Sequence, residues 1–518
     1  MGKKAKRDSG ALAFDEAANA IRTENIRPGE EFELKLEVDP TNFAALLAAW
    51  PLGSDEAVDR QQDSVYFDTP EQSLHKAGFS LRVRTIGDKR IQTIKAESTA
   101  AAGLFVRPEW EREIDSAEPM FDGDGSPFRG LIPDSELDRL DPIFHVKVVR
   151  TVALVTREDA IVEAVLDRGE ILAGDRSDQV HEVELELKRG APAVLFALAR
   201  ELDQSAPMRL GVLTKSERGY RLGSAAPDKP VKTSPLELQM AISAATAFQA
   251  IVGACLRQFR LNEAILVRTG NAGALHQARV ALRRLRSALS TFKGVVQDDR
   301  YDHIRAELRW IAAELGHARN LDVLLERVSG KEVTKPLRAA RKKAYAAVQA
   351  ALASDRLRAL MLDLSEWTAI GPWSSSAAGT EARAQPIKQF AADALEKHRR
   401  RLKRLGRKLD EVGDEERHEA RIEAKKLRYA TEFFASLFQG KKAARRYRGF
   451  YDAMEKLQAH LGDLNDLATA PIVLSELNLV GTPTADALQP DLSLRVPLLK
   501  QANNAYATLM DSKRFWPH

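Results

Sequence analysis

From Glu31 the chain runs Glu-Phe-Glu-Leu-Lys-Leu-Glu-Val, a strict alternation of charged and apolar residues. Successive side chains of a β-strand point to opposite faces. Phe32, Leu34, Leu36 and Val38 therefore share one face, and Glu31, Glu33, Lys35 and Glu37 the other. A lone surface strand would show the same pattern with its charges in water. Recurrence narrows the choice. Arg82 and Arg84 share a face within 79–86, Thr93, Lys95 and Glu97 within 91–97, and Arg107, Glu109, Glu111 and Glu113 within 104–114. Arg150 falls in a β-rich stretch at 143–155. Glu163 and Asp167 share a face within 160–167, and Glu182, Glu184, Glu186 and Lys188 within 181–188. With a strand at 65–69 this makes about eight, enough to close a barrel whose interior holds side chains or one small ligand.

Acids and bases lining one cavity have a chemical use. Carboxylates at strand spacing suit Mg²⁺ or Mn²⁺, which prefer oxygen ligands. Arg and Lys on facing walls suit phosphate oxygens. A triphosphate bridged to a metal needs both sets, and metal-assisted phosphoryl hydrolysis is the reaction such a site would run.

Residues 31–222 resemble the CYTH family, the triphosphate tunnel metalloenzymes. The opening Glu31-x-Glu33-x-Lys35 is similar to the family's ExExK signature. Tyr66-Phe67-Asp68-Thr69, Leu81-Arg82-Val83-Arg84, Thr93-Ile94-Lys95, Arg107-Pro108-Glu109-Trp110-Glu111, Leu166-Asp167-Arg168-Gly169-Glu170, Glu182-x-Glu184-x-Glu186-Leu187 and Lys215-Ser216-Glu217-Arg218-Gly219-Tyr220 follow in family order. The resemblance implies an antiparallel eight-stranded tunnel that hydrolyses triphosphates with Mg²⁺ or Mn²⁺. Carried over by position, Glu31, Glu33, Asp167, Glu184 and Glu186 would be metal ligands, with Glu109, Glu111, Glu163 and Glu182 as secondary acids. Lys35, Arg82, Arg84, Lys95, Arg107, Arg150 and Lys215 would contact substrate, and Glu31, Glu33 and Lys35 would carry the catalysis.

The second half differs in kind. Residues 1–230 hold 31 Lys and Arg against 42 Asp and Glu, a net of −11, and the remainder holds 47 against 32, a net of +15. Residues 224–235, rich in Pro and small polar residues, read as a linker. From Leu236 the pattern is helical, and a break at 371–385 divides it into halves at about 236–370 and 386–518. The halves repeat. His276-x-x-Arg279-x-x-x-Arg283-x-x-Arg286 returns as His418-x-x-Arg421-x-x-x-Lys425-x-x-Arg428 at an offset of 142, and Leu315-Gly316 returns as Leu461-Gly462. At about 100° per residue each set makes one basic stripe, and two matching stripes face to face would form a groove for an extended polyanion. This half resembles the CHAD family, helical domains associated with inorganic polyphosphate. The resemblance implies that His276, Arg279, Arg283, Arg286, His418, Arg421, Lys425 and Arg428 bind polyphosphate.

The expected fold is multidomain α+β: an N-terminal eight-stranded antiparallel β tunnel barrel with flanking helices over 28–223, and a C-terminal all-α domain of two repeated helical bundles over 236–518. The basic N-terminus reads as a disordered tail over 1–27, with no apolar signal core behind it. No apolar run is long enough for a membrane span, and one cysteine, Cys255, suits a reducing cytoplasm. Cytoplasmic location, with association to polyphosphate granules, is the expectation. The expected partners are inorganic triphosphate and inorganic polyphosphate, without a membrane. Nucleic acid is disfavoured because the basic half has few aromatics for base stacking. The alternatives are a polyphosphate-binding scaffold with an inactive tunnel, or hydrolysis or cyclisation of an organic triphosphate such as thiamine triphosphate or ATP. All the expected ligands lie before residue 225, so a fragment 1–225 is expected to act alone.

Overall fold

The computed structural model describes residues 30–49, 51–52, 57–96, 103–121, 128, 132–224, 228–477, 479–488 and 492–517, without the side chains of 30, 31, 106, 107, 470, 473 and 492. The basic tail, Glu97 and the side chains of Glu31 and Arg107 lie outside the described residues. The chain divides into two compact units. One comprises residues 1–229 with 354–374, the other 230–353 with 375–518.

In the first unit the eight expected strands form: β1 (Glu30–Val38), β2 (Val58–Asp68), β3 (Phe79–Ile86), β4 (Lys89–Ala96), β5 (Leu104–Ile114), β6 (Asp141–Arg157), β7 (Ala160–Ala173) and β8 (Arg176–Arg189). They pair antiparallel in the order β5-β4-β3-β2-β6-β7-β8-β1, and β1–β5 pairing closes the ring. A short ninth strand, β9 (Met208–Leu210), adds to β1 beyond the end of β5, and three residues were too few to show any periodicity. β7 and β8 also run longer than the charged patterns alone indicate.

The inward face of the barrel changes character along its length. On β6 Phe144, Val146 and Val148 share the face of Arg150. On β7 Ile171 and Ala173 share that of Asp167, and on β8 Val180 that of Glu182. These apolar residues cluster with Tyr66 and Tyr220, plugging one end and leaving the charged part open beyond them. Outside, Phe67, Leu81, Val83 and Ile94 pack with Leu74, Phe128 and Ile132.

Three helices matter to the tunnel: α1 (Phe43–Ala48), α2 (Ala193–Ser205) and α3 (Lys215–Leu222). Buried Asp68 accepts from the backbone N–H of Thr69, Leu74 and His75 and from the Tyr220 hydroxyl at 2.7 Å. That anchors α3, and with it Lys215, against the barrel. Gly219 of α3 lies so close to Phe144 that a Cβ there would sit 2.3 Å from the ring. Thr214 and Glu217 close a capping box at the N-terminus of α3.

The second unit begins with α4 (Ala244–Thr269), α5 (Ala272–Thr291), α6 (Tyr301–Glu326) and α7 (Lys331–Ala353). The next helix, α8 (Asp355–Ile370), departs from the expected division. It belongs to the barrel unit and packs on α2 and β9. Arg358, 8% exposed, donates to Asp203 at 2.8 Å, and Arg200 donates to Asp363 at 2.6 Å and Glu366 at 2.8 Å. Asp203 also accepts from the Met208 N–H that opens β9. The second repeat is α9 (Ile387–Leu405), α10 (Asp414–Phe433), α11 (Lys441–Glu476) and α12 (Arg495–Asp511). Each helix packs on the next in α4–α7 and again in α9–α12, so the first repeat ends at Ala353 rather than near 370.

A fragment ending at residue 225 therefore lacks part of the barrel unit. It should melt far below the barrel of the full chain or aggregate. In the full chain Arg358→Ala should cost about 2–3 kcal/mol by leaving Asp203 without its cation. Urea unfolding of the barrel checks both, and a fragment 1–225 as stable as the barrel of the full chain would show α8 to be dispensable.

Candidate functional site

The open part of the barrel encloses a cavity of about 230 Å³. Cross-strand register builds its acidic wall. Lys35 sits opposite Glu184, Glu33 opposite Glu186, Asp167 opposite Glu182, and Arg150 opposite Asp167. Asp167, Glu182 and Glu184 each offer an oxygen within 4.8 Å of the others. Three cations interleave with them. Lys35 pairs with Glu182 at 3.0 Å, Glu33 at 3.3 Å and Glu184. Lys215 pairs with Asp167 at 2.7 Å, Glu184 at 2.8 Å and Glu182. Arg150 grips Asp167 through two bonds of 2.7–2.8 Å and reaches Glu184 at 2.7 Å.

Burial and charge oppose each other here. Burial alone would depress Lys35, but Glu182, Glu184 and Glu33 hold it well above the ordinary lysine value, so it stays a cation. Burial likewise favours a neutral Glu184, yet Lys215, Lys35 and Arg150 hold its carboxyl well below the usual range. Asp167 is lowered against burial by Arg150 and Lys215.

In the eight-stranded ring β3 lies opposite β8, so the basic residues of β3 and β4 face the acids. Arg82 lies 3.9 Å from both Glu109 and Glu111, and Lys95 3.0 Å from Glu109. The buried Nε of Arg82 has no hydrogen-bond partner among the described residues. Arg84 is pushed down to about 9, by burial first and then by the charges of Arg82 and Arg150. This wall thus holds positive charge in excess of its local partners.

Of the residues expected at the site, Glu33, Lys35, Arg82, Arg84, Lys95, Arg150, Glu184, Glu186 and Lys215 line one cavity, and Asp167 lies beneath it bound to Arg150 and Lys215. Glu31 and Arg107 are opposite each other in register, their side chains outside the described residues. The close acidic triad joins Asp167 and Glu184 to Glu182, which the sequence suggested only as a secondary acid. Glu186 instead pairs with Lys188 at 2.6 Å. Tyr66, Thr93 and Lys188 line the cavity without having been singled out as site residues. The Tyr66-Phe67-Asp68-Thr69 motif was the signal for Tyr66, whose hydroxyl is lowered against burial by Arg82 and Arg84.

In the helical unit the two basic stripes face each other. Lys425 on α10 is pushed down to about 7, by burial first, then by Arg421, by Arg283 and Arg279 of α5, and by Arg428. Arg279 falls to about 10 through burial, Arg283 and Arg319, while donating to the Gly316 carbonyl at 2.5 Å. The buried Nε atoms of Arg283, Arg421 and Arg428 have no hydrogen-bond partner among the described residues. Each such donor costs about 1–3 kcal/mol. His418 and Arg421 share the Asn465 side-chain oxygen at 3.2 and 3.3 Å.

Two residues depart from an uninterrupted groove. Arg286 is depressed by burial and by the charges of Arg309 and Arg305 of α6, so its nearest cations belong to that helix rather than to α10. Arg428 is bound by Glu432 at 2.9 Å, and Glu432 also pairs with buried Arg284. Sequence spacing identified neither Glu432 as a neutralising neighbour nor Arg305, Arg309 and Arg319 as further cations.

A family model described as the CYTH domain matches residues 29–220, and one described as the CHAD domain matches residues 250–475. The inorganic triphosphatase of Haemophilus influenzae is 30% identical over 203 residues, 38% of this chain and 55% of that protein. The chain thus spans about half the length of that relative. The crystal structure of the CHAD domain from the plant Ricinus communis shares 28% identity over 56% of this chain and 99% of its own, with a TM-score of 0.46. A Hippeastrum protein described by its dominant triphosphatase activity shares 22% identity over 36% of this chain and 93% of its own, with a TM-score of 0.30.

Proposed function

From a chain that carries a CYTH domain at residues 29–220 followed by a CHAD domain at 250–475, we propose a metal-dependent triphosphatase acting on inorganic triphosphate, joined to a module that binds inorganic polyphosphate. The observation that carries the first half is a cavity with Glu184 on one wall, backed by buried Asp167 and Glu182 of the acidic triad, and the basic residues of β3 and β4 on the other. The lining favours an inorganic substrate. Apart from Val165 and the ring of Tyr66 it is charged or hydroxyl-bearing, which gives a nucleobase or a thiazolium ring no apolar surface.

Asp167, Glu182 and Glu184 would hold Mg²⁺ or Mn²⁺, a donor set of hard oxygens that fits either ion. Such an ion, when bound, neutralises phosphate charge and supplies an activated water. The chain's own residues do the rest. Arg82, Arg84 and Lys95 grip phosphate oxygens, and a bound polyanion relieves the repulsion that depresses Arg84. Lys35, kept protonated by its acids, contributes charge and cannot serve as a base. Lys215 and Arg150 fix the carboxylates in place. The apolar plug closes one end against bulk water. Phosphate release by the full chain from tripolyphosphate, thiamine triphosphate and ATP, with Mg²⁺, Mn²⁺ or chelator, tests this. Turnover without metal, or preference for an organic triphosphate, would overturn it.

Support for the polyphosphate module comes from the unpartnered guanidinium donors and the depressed Lys425. A phosphate chain returns the proton to Lys425, so binding takes up a proton and affinity should fall as pH rises from 6 to 8.5. Lys425→Arg stays charged throughout and should flatten that profile. Long-chain polyphosphate titrations at constant ionic strength check this, and equal slopes in the two proteins would refute it.

A further inference from the structure

The two repeats match in helix order but not at one place. Aligned on Leu315-Gly316 and Leu461-Gly462, Arg319, Asp322 and Glu326 of α6 correspond to Asn465, Ala468 and Ile472 of α11. In the first repeat that position is filled and neutralised. Arg319 pairs with Glu326 at 3.1 Å, and Arg341 with Asp322 at 2.6 Å. In the second, the uncharged side chains of Asn465, Ala468, Thr469 and Ile472 leave a cavity of about 330 Å³. One wall is Leu461, Leu464, Ala468 and Ile472. The other is His418 and Arg421, at the end of the basic stripe, with Arg417 and Asp414 beyond them, where the Asp414 carboxylate is held by Arg417 at 2.8 Å and Arg495 at 3.0 Å. Ile472 is 57% exposed, an apolar side chain kept at the mouth of a cationic groove.

We propose that this pocket takes the organic end of a phosphate chain, the nucleoside of a nucleoside 5′-polyphosphate. The base lies on the aliphatic wall, and the phosphates run over His418 and Arg421 toward Lys425. Charge complementarity selects this occupant. An inorganic chain would use only the cationic wall, and a neutral apolar ligand would leave the buried Arg421 Nε unanswered. The volume lies at the lower end of the roughly 300–1,000 Å³ of small-molecule sites, room for one nucleoside. The proposal rests on the groove reading and adds a specificity subsite that the first repeat lacks.

The test uses the full chain in chelator, so that the tunnel does not turn over. Labelled long-chain polyphosphate is displaced with adenosine 5′-tetraphosphate or inorganic tetraphosphate. The capped ligand should displace about tenfold better, the worth of burying one ring face. Ala468→Trp, which fills the pocket, should erase that advantage while leaving inorganic tetraphosphate unchanged, which also reports an intact fold. Should that variant misfold, Ile472→Glu, at an exposed position and matching the first repeat, should reduce the advantage at least threefold. Equal displacement by both ligands in the unmodified protein, or variants that weaken both alike or neither, overturns the proposal. If the long chain does not bind at all, the groove reading falls, and photo-crosslinking with 8-azidoadenosine 5′-tetraphosphate decides the pocket alone. Attachment within residues 461–472 that Ala468→Trp abolishes supports it, and attachment elsewhere or none overturns it.

Discussion

Glu184→Gln should reduce kcat for tripolyphosphate by about 10²–10³-fold, the usual scale for losing one preorganised charge at a reacting centre. Glu184 pairs with three cations in the tunnel. One oxygen faces Lys35 and Lys215, and the other accepts from Arg150 at 2.7 Å. Glutamine keeps the shape but loses the charge, so one ligand of the triad weakens and three buried cations lose a shared counter-charge. The same three cations hold the Glu184 carboxyl well below its ordinary range. Its contribution to stability is therefore present above the unfolded-state value near 4.5 and lost as pH falls through the lowered one. The variant should accordingly be less stable at neutral pH, with the gap closing in acid. Turnover with saturating Mg²⁺ or Mn²⁺ is the deciding measurement, with Glu163→Gln at the cavity wall as the control for a merely nearby acid. Activity within threefold of the unmodified chain would remove Glu184 from the site.

The second large effect is expected in the groove. Arg283→Glu combined with Lys425→Glu reverses one charge on each stripe at the point where the stripes meet. Binding of a flexible polyanion depends on several cations in a row and weakens with salt. Each cation lost lowers the salt slope by roughly 0.7, as for single-stranded nucleic acid. The double reversal should thus cost about 10²-fold in long-chain polyphosphate affinity at 0.15 M salt and lower the slope by at least about 1.4. The same reversal at exposed Lys331 and Lys397, away from both stripes, should cost far less. The full chain is the proper sample, because α8 links residues of the helical half to the barrel unit. Binding undiminished by the reversal, or duplex DNA outcompeting polyphosphate, would end the polyphosphate reading without touching the tunnel.

Much of the architecture was legible in local pattern. A period of two fixes which side chains share a face, so the inward charges of β1, β3, β7 and β8 follow from spacing alone. The offset of 142 between His276 and His418 was enough to place two matched helical repeats and their basic stripes. Alternation does not fix height along the barrel. Which acids meet depends on the stagger between neighbouring strands, and that stagger brought Glu182 rather than Glu33 or Glu186 into the triad with Asp167 and Glu184. Helix propensity is equally silent about destination. Nothing local distinguishes α8 from its neighbours, and its assignment rests on Arg358 reaching Asp203, 155 residues earlier. Glu432 and the pocket beside Ile472 have the same origin, since each depends on what a second helix brings opposite it. The sequence by itself determined the elements, their faces and the repeat, because these are set by residues a few positions apart. Partner choice among the charges, the unit that α8 joins and the broken symmetry between repeats were decided by tertiary packing, where the cost of burying an unpaired charge is met only by residues distant in the chain.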